Sequence, residues 1–312
     1  MTLAFLYAGQ GSQHPGMGRD LYREFPQVRP LFDRTAGGLD IGQLCFEAPA
    51  QTLGRTGAAQ PCMGAFAAAV TRILYDQGIR PDYAAGLSLG EYGALYGAGV
   101  FSAEDLLDLL ALRGRAMEEA TAGQDTRMTA VLGLDPALAE QAAAEATGGP
   151  GDLAACANYN CPGQVVIGGH TPAVLRAEAR CRELGARRCI PLDVSGPFHT
   201  PLMAPAIPAL AAKLAQIQIS PPQIPVVFNV TADLLGEGET VEGLLVRQLT
   251  SPTRFEASIR RLGALGVDTV VEIGPGKVLS GFVRKTLPNI TCLWAEDADG
   301  IRETVRTIKG GN

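Results

Sequence analysis

Nothing in the chain restricts its fold more than Gly86-Leu-Ser88-Leu-Gly90, which separates a short apolar run from a helix-compatible one. Pro81–Leu87 reads as a strand, and Leu89–Ala98 as a helix that tolerates Gly93 and Gly97. A bare Gly-x-Ser-x-Gly arises by chance in a chain with 38 glycines. Between a strand and a helix it has a mechanical meaning. The chain reverses so sharply that the serine stands exposed at the apex and only small residues fit beside it. This context points to an activated serine on an α/β scaffold; a plain glycine turn carrying a serine is the other reading.

A serine nucleophile needs a base, and the sequence offers three histidines, His14, His170 and His199. His170 falls at the end of an expected strand and reads as a surface turn residue. His14 lies in the loop Gly9-Gln-Gly-Ser-Gln-His-Pro-Gly-Met-Gly18, directly after the strand expected at Thr2–Tyr7. The loop is not a dinucleotide fingerprint, because the third glycine falls on His14, nor a phosphate loop, because no Gly-Lys-Ser/Thr follows. Two readings stay open for it: a backbone N–H cradle for an anion or oxyanion, or a turn joining strand to helix. His199 is followed by Thr200 and Pro201, good residues for the start of a helix expected to run to Ile217. The positive end of that helix would disfavour imidazolium and keep His199 neutral, as a base requires. His199 is the selected base, with a satisfied structural histidine as the alternative.

One charge sits where charges do not belong. In the helix expected after Ser102, whose Ser102-x-x-Asp105 spacing makes a capping box, Leu106, Leu109, Leu110, Arg113 and Met117 share one face. A guanidinium in an apolar stripe needs an anionic partner. It either reaches a structural carboxylate or water, or it is a fork waiting for a ligand carboxylate. Arg115 lies instead with Glu104, Asp108, Glu118 and Glu119 and is expected to ion-pair on the polar face.

Around residues 123–126 the pattern changes. Strands at Arg127–Gly133, Asp152–Asn158, Gln164–Gly169 and Arg187–Leu192 alternate with helices at Pro136–Ala146 and Pro172–Leu184. That order, β-α-β-β-α-β, is a ferredoxin-like unit and reads as an inserted small domain. Elsewhere Gln60–Gln77 is an alanine-rich buried helix. The last third carries strands at Pro225–Val230 and Thr269–Ile273 and helices at Gly243–Leu249, Arg254–Leu265 and Leu279–Thr286. Glu272-Ile-Gly-Pro-Gly-Lys277 fails as a Walker motif, because Val271 stands at the first glycine position, and reads as a strand-to-helix turn.

The 312 residues suffice for two domains or one with an insertion. A net charge of −6, with no basic run interleaved with aromatics, argues against nucleic acid. No apolar run approaches a membrane span, and Met1–Ala8 reads as a first strand rather than a signal peptide. The seven scattered cysteines, without a Cys-x-x-Cys pair, read as reduced thiols of a cytoplasmic protein.

Taken together, Gly9-Gln-Gly-Ser-Gln13, Gly86-Leu-Ser-Leu-Gly-Glu-Tyr92, Arg113-Gly114 and Gly196-Pro-Phe-His199 resemble the malonyl-CoA:acyl carrier protein transacylase family, in order and at suitable spacing. Asn158-Tyr-Asn160, Gln248 with Ser251-Pro252, and Glu272–Lys277 look like it too, so the likeness spans residues 4 to 285. The resemblance implies an α/β-hydrolase-like large domain (residues 1–125 and 193–312) with a ferredoxin-like insert (126–192) and a cleft between them. It implies Ser88 as nucleophile and His199 as base, oriented by the backbone carbonyl of Gln248 rather than by an acid, although Asp193 is near in sequence. The N–H groups of Gln10 and Leu89 would form the oxyanion hole, Arg113 would grip the malonate carboxylate, and Asn160 would contact substrate. The family commonly has histidine before the nucleophile, where this chain has Leu87; that departure bears on acyl selectivity, not on the chemistry. Phe198 resembles malonyl-selective members, its ring crowding the α-carbon. The implied substrates are malonyl-CoA and a phosphopantetheinylated acyl carrier protein, with no cofactor, no metal and a monomeric enzyme. A hydrolase on the same scaffold, a trans-acting loader of a polyketide synthase and a catalytically dead interaction module are the rivals. The last would be expected to have lost Ser88, His199 or Arg113.

Overall fold

Alternate residues of the first strand, Leu3–Tyr7, serve two different cores. Leu3, Phe5 and Tyr7 face one, and Ala4 and Leu6 face the other. That is the period-two geometry of a strand covered on both sides, and it explains an unbroken apolar run. In the computed structural model, which describes residues 1–310, this strand is central to a five-stranded sheet. The order is Thr291–Ala295, Thr269–Ile273, Leu3–Tyr7, Tyr83–Gly86, Val226–Val227, with every neighbouring pair parallel. The long helix Thr56–Asp76 packs on one face with Leu89–Gly97 and Ala103–Glu119; Phe255–Ala264 and Val278–Thr286 cover the other. Ala8–Gln10, Ser88, Asn229 and Gly274 follow the carboxyl ends of four of these strands, where ligands collect in parallel sheets.

Residues 126–191 form a second, antiparallel sheet of order Ala154–Cys161, Gln164–His170, Thr126–Leu132, Arg188–Pro191. Alternation again decides its faces. Val165 and Ile167 meet helices Pro136–Ala146 and Thr171–Glu183 in a small core of their own, whereas Met128, Ala130 and Val166 pack into the main core.

Several boundaries depart from expectation. The helix expected from Gln60 starts at Thr56 and carries Pro61 inside it. The expected strand Pro225–Val230 keeps only Val226–Val227, because Phe228 donates to the Asp233 carbonyl and turns the chain. The helix expected over Pro201–Ile217 divides into a 3₁₀ segment, Pro201–Ala206, and an α-helix, Ile207–Leu214. Pro205 and Pro208 lack the N–H groups that a continuous ladder would use. The edge strand Thr291–Ala295 and the helix Ala298–Gly310 were not anticipated. Arg115 makes no ion pair among the described residues; Arg34 takes Glu104 and Asp108, and Arg55 takes Glu118. All seven cysteines are free.

Candidate active site

The elbow forms because the strand and the following helix cross almost in contact. A Cβ on Gly86 would lie 2.0 Å from the Gly90 carbonyl carbon, and one on Gly90 would lie 2.1 Å from the Tyr7 oxygen. Both obstacles are backbone, so no other residue fits. Ser88, at the apex, has φ 55° and ψ −109°, a region that L-residues seldom occupy.

Ser88 Oγ lies 2.7 Å from His199 Nε2, and His199 Nδ1 lies 2.8 Å from the Gln248 carbonyl oxygen. A carbonyl only accepts, so Nδ1 carries the proton and Nε2 is left bare towards Ser88. Both ring nitrogens are thereby used without an acid, and Asp193 is exposed. Burial, then the charge of Arg113, push the His199 pKa down to about 3, which keeps the ring neutral. Neutrality therefore has a different cause from the helix dipole expected above. The element after His199 is a short 3₁₀ segment, and the Thr200 hydroxyl donates to the Pro197 carbonyl instead of capping it.

Arg113 is buried at 1% exposure, and its partners are all neutral. Nη1 donates to Gln60 Oε1 at 2.8 Å; Nη2 donates to Gln248 Oε1 at 2.9 Å and to Ser88 Oγ at 3.2 Å. Nε has no partner among the described residues, and the guanidinium lies 5.2 Å from the centre of the Tyr92 ring. Burial lowers its pKa, with Tyr92 and Glu91 opposing. The helix carrying Arg113 can come this close because Gly114 presses on Thr56, whose carbonyl oxygen would be 2.6 Å from an added Cβ. Gln248 does more than its carbonyl was expected to do: its Nε2 donates to the Ser88 carbonyl at 3.1 Å.

A cleft of about 140 Å³ opens over Ser88 and His199, lined by Gln10, Leu87, Phe198 and, from the small sheet, Met128, Asn160 and Val166. Asn160 Oδ1 is buried there without a partner among the described residues. The N–H groups of Gln10 and Leu89 have no protein acceptor among the described residues. The Gln10 side chain donates to Thr56 Oγ1 at 3.0 Å. His14 is exposed, and His170 accepts the Leu153 N–H at 3.0 Å in the small sheet, so neither reaches Ser88. Among the described residues no cluster of metal-ligating side chains occurs, and no helix is long and apolar enough to cross a membrane.

Four contributors were missed: Gln60, Tyr92, Glu91 and Asn229. Glu91, the one charge in its helix, carried the same signal as Arg113; Asn229 carried none. An orphaned pair of N–H groups, a serine on a neutral histidine and a buried guanidinium beside them can together hold and transfer an acyl group bearing an anion.

Comparison with known proteins agrees. The acyl transferase domain model matches residues 4–306. The malonyl CoA-acyl carrier protein transacylase of Bacillus subtilis (strain 168) is 42% identical, over 99% of this chain and 98% of its own. The crystal structure of the Clostridium perfringens malonyl CoA-acyl carrier protein transacylase superposes with a TM-score of 0.94 at 36% identity, covering 100% of this chain and 98% of that one. A holo type II PKS acyl-carrier protein in complex with its malonyl-transacylase gives 0.93 at 35%, over 98% of this chain and 100% of the matched one. The chain belongs to the acyl transferase family, among its malonyl CoA-acyl carrier protein transacylases.

Proposed function

We propose that the protein moves malonyl from malonyl-CoA to the phosphopantetheine thiol of an acyl carrier protein through a malonyl-Ser88 ester. The observation that carries this is Arg113: a buried guanidinium, hydrogen-bonded only to neutral groups, 3.2 Å from the nucleophilic oxygen. The free carboxylate of a malonyl ester ends two carbons beyond the acyl carbonyl, within reach of that fork.

His199 Nε2 takes the Ser88 proton as Oγ attacks the thioester carbonyl. The N–H groups of Gln10 and Leu89 receive the oxyanion. As the intermediate collapses, the C–S bond breaks and His199 returns the proton to the CoA sulfur. The carrier thiol then gives its proton to His199, attacks the ester, and displaces Ser88 by the same route. The Gln248 carbonyl holds the tautomer that both halves need. Phe198 and Leu87 bound the cleft beside the α-carbon, and Asn160 Oδ1 is a free acceptor for the incoming substrate. No cofactor enters these steps.

For the architecture we infer a hydrolase-like large domain (1–125 and 193–312) and a ferredoxin-like insert (126–192). Support comes from the strand-turn-helix setting of Ser88 and from the antiparallel order of the small sheet. For the carrier we infer a docking surface at the depression of about 430 Å³ lined by Arg187, Arg188 and Lys285. These cations have no carboxylate partner among the described residues, whereas Arg182 is paired with Glu178. Strand Thr126–Leu132 runs from Met128 in the cleft to Leu132 at that depression, about 13 Å for four residues.

The test is to mix the protein with malonyl-CoA, follow intact mass and free CoA, and then add holo-carrier protein. A stable malonyl adduct on Ser88 that the carrier discharges is expected. Continuous CoA release with no lasting adduct would make the protein a hydrolase and overturn the proposal.

A further inference from the structure

Ser88, His199 and Ala232 are the non-glycine residues with positive φ among those described, and two of the three are the reacting pair. Something must hold Ser88 there against its preference. The strand leading to it, Tyr83–Gly86, pairs with Val226–Val227 only at Ala84 and Ala85, after which the partner chain turns away. The fully buried carboxamide of Asn229 takes over from the lost backbone. Its Nδ2 donates to the Gly86 carbonyl at 2.6 Å, and its Oδ1 accepts the Ser88 N–H at 2.7 Å. A peptide presents a donor and an acceptor in one plane in the same way, so the side chain prolongs the sheet through the turn. Only one amide orientation satisfies both neighbours, since a carbonyl cannot donate and an N–H cannot accept.

Asn229 is itself held. Its backbone N–H donates to the carboxyl of Glu91, which is fully buried one helical turn after Ser88. The Glu91 N–H closes the ring by donating to the Ser88 carbonyl at 3.1 Å. Asn229 therefore grips the residues before and at the apex, and Glu91 ties Asn229 to the helix beyond it.

We propose that Asn229 and Glu91 form a clip that positions the nucleophile: they hold the strained Ser88 backbone so that Oγ meets His199 and the Leu89 N–H points into the cleft. Ser88 φ places its side chain, and Ser88 ψ sets the direction of the next N–H, so one pair of residues aims both. Neither touches substrate. Their effect is on the rate of acyl transfer and not on substrate affinity or the fraction of competent molecules. The clip rests on the reading of Ser88 as nucleophile.

The experiment compares wild type with Asn229→Ala, Asn229→Asp, Glu91→Ala and Glu91→Gln in a rapid-quench burst of malonyl-Ser88. Each protein is also labelled with a fluorophosphonate. Asn229→Ala should reach full burst amplitude on the order of 10²-fold more slowly, the cost of misplacing a reacting atom by about 1 Å, with half-saturating malonyl-CoA changed less than about threefold. Asn229→Asp keeps the acceptor for Ser88 but sets an oxygen against the Gly86 carbonyl. It should also be slow at full amplitude, and it carries the test should the alanine variant fail to fold. Glu91→Gln, which can still accept the Asn229 N–H, should recover at least about tenfold of the rate lost in Glu91→Ala. A wild-type rate in the Asn229 variants, at full or reduced amplitude, overturns the clip; reduced amplitude alone is what a merely structural residue would give. An unimpaired Glu91→Ala removes Glu91 from it. If wild type itself takes fluorophosphonate somewhere other than Ser88, the nucleophile reading has failed and the clip with it; Ser88 labelling with unchanged variant rates refutes the clip alone.

Discussion

Replacing Arg113 by alanine separates two effects that the structure places on one side chain. The guanidinium donates to Ser88 Oγ and Gln248 Oε1, so its loss loosens Ser88 for every substrate. It is also a buried cation 3.2 Å from Ser88 Oγ, so on the proposed function its loss leaves an incoming malonyl carboxylate unpaired. Only the second effect depends on the acyl group, and the ratio of malonyl to acetyl transfer isolates it. Removing one member of a buried, hydrogen-bonded charge pair costs about 2–5 kcal/mol. At about 1.4 kcal/mol per tenfold, the malonyl:acetyl ratio of second-order acylation constants should fall by about 30- to 5,000-fold. Arg113→Lys keeps the charge but not the fork and should fall between the two. The measurement is rapid-quench intact mass with malonyl-CoA and acetyl-CoA in parallel. A ratio unchanged within about threefold of wild type would show that Arg113 serves Ser88 and Gln248 and does not read the carboxylate.

Further outcomes are expected for pH dependence, stability and acyl selectivity. With the His199 pKa at about 3, the acylation rate should show no acid limb near pH 6.5 and stay flat down to about pH 5; an inflection at the ordinary histidine pKa would contradict a buried neutral base. The same shift makes the stability from neutral His199 complete above about pH 6.5 and progressively lost as pH falls towards 3. Burial raises Glu91 to about 8, so its contribution is complete below about pH 4.5 and lost as pH rises through 8; melting curves should show Glu91→Gln gaining on wild type between about pH 5 and pH 8 and no further above that. Gly90→Ala, whose Cβ would meet the Tyr7 carbonyl, should not yield a folded enzyme, whereas Gly281→Ala in an open helical position should gain about 0.5–1 kcal/mol in denaturant titration. Phe198→Ala should widen the cleft beside the α-carbon and raise transfer of methylmalonyl relative to malonyl, read as the ratio of the two acyl-enzymes.

Much of the site was legible because its chemistry leaves local marks. Gly86 and Gly90 mark a crossing too tight for a Cβ, and Arg113 betrays itself as a charge in an apolar stripe. His199 follows by elimination among three histidines. Elements with a strong period, such as Thr269–Ile273 and Pro136–Ala146, were readable to the residue. The edge strand Thr291–Ala295 was not, because one side of an edge is half exposed and its residues need not alternate cleanly.

The sequence by itself determined the strand-turn-helix at Ser88, the alternating order of the small sheet and the residue types of the Ser88–His199 pair. Each of these depends on neighbours within a few positions or on a periodicity that runs along the chain. The tertiary structure alone decided what lies against them. The neutrality of His199 comes from burial and from Arg113, 86 positions away in sequence. Gln60 and Gln248 converge on that guanidinium from opposite ends of the chain, and Asn229 reaches Gly86 and Ser88 across 143 and 141 positions. Contacts of that kind leave no pattern in a single sequence, because an asparagine in a turn looks the same whether it faces water or bonds the backbone of Gly86 and Ser88.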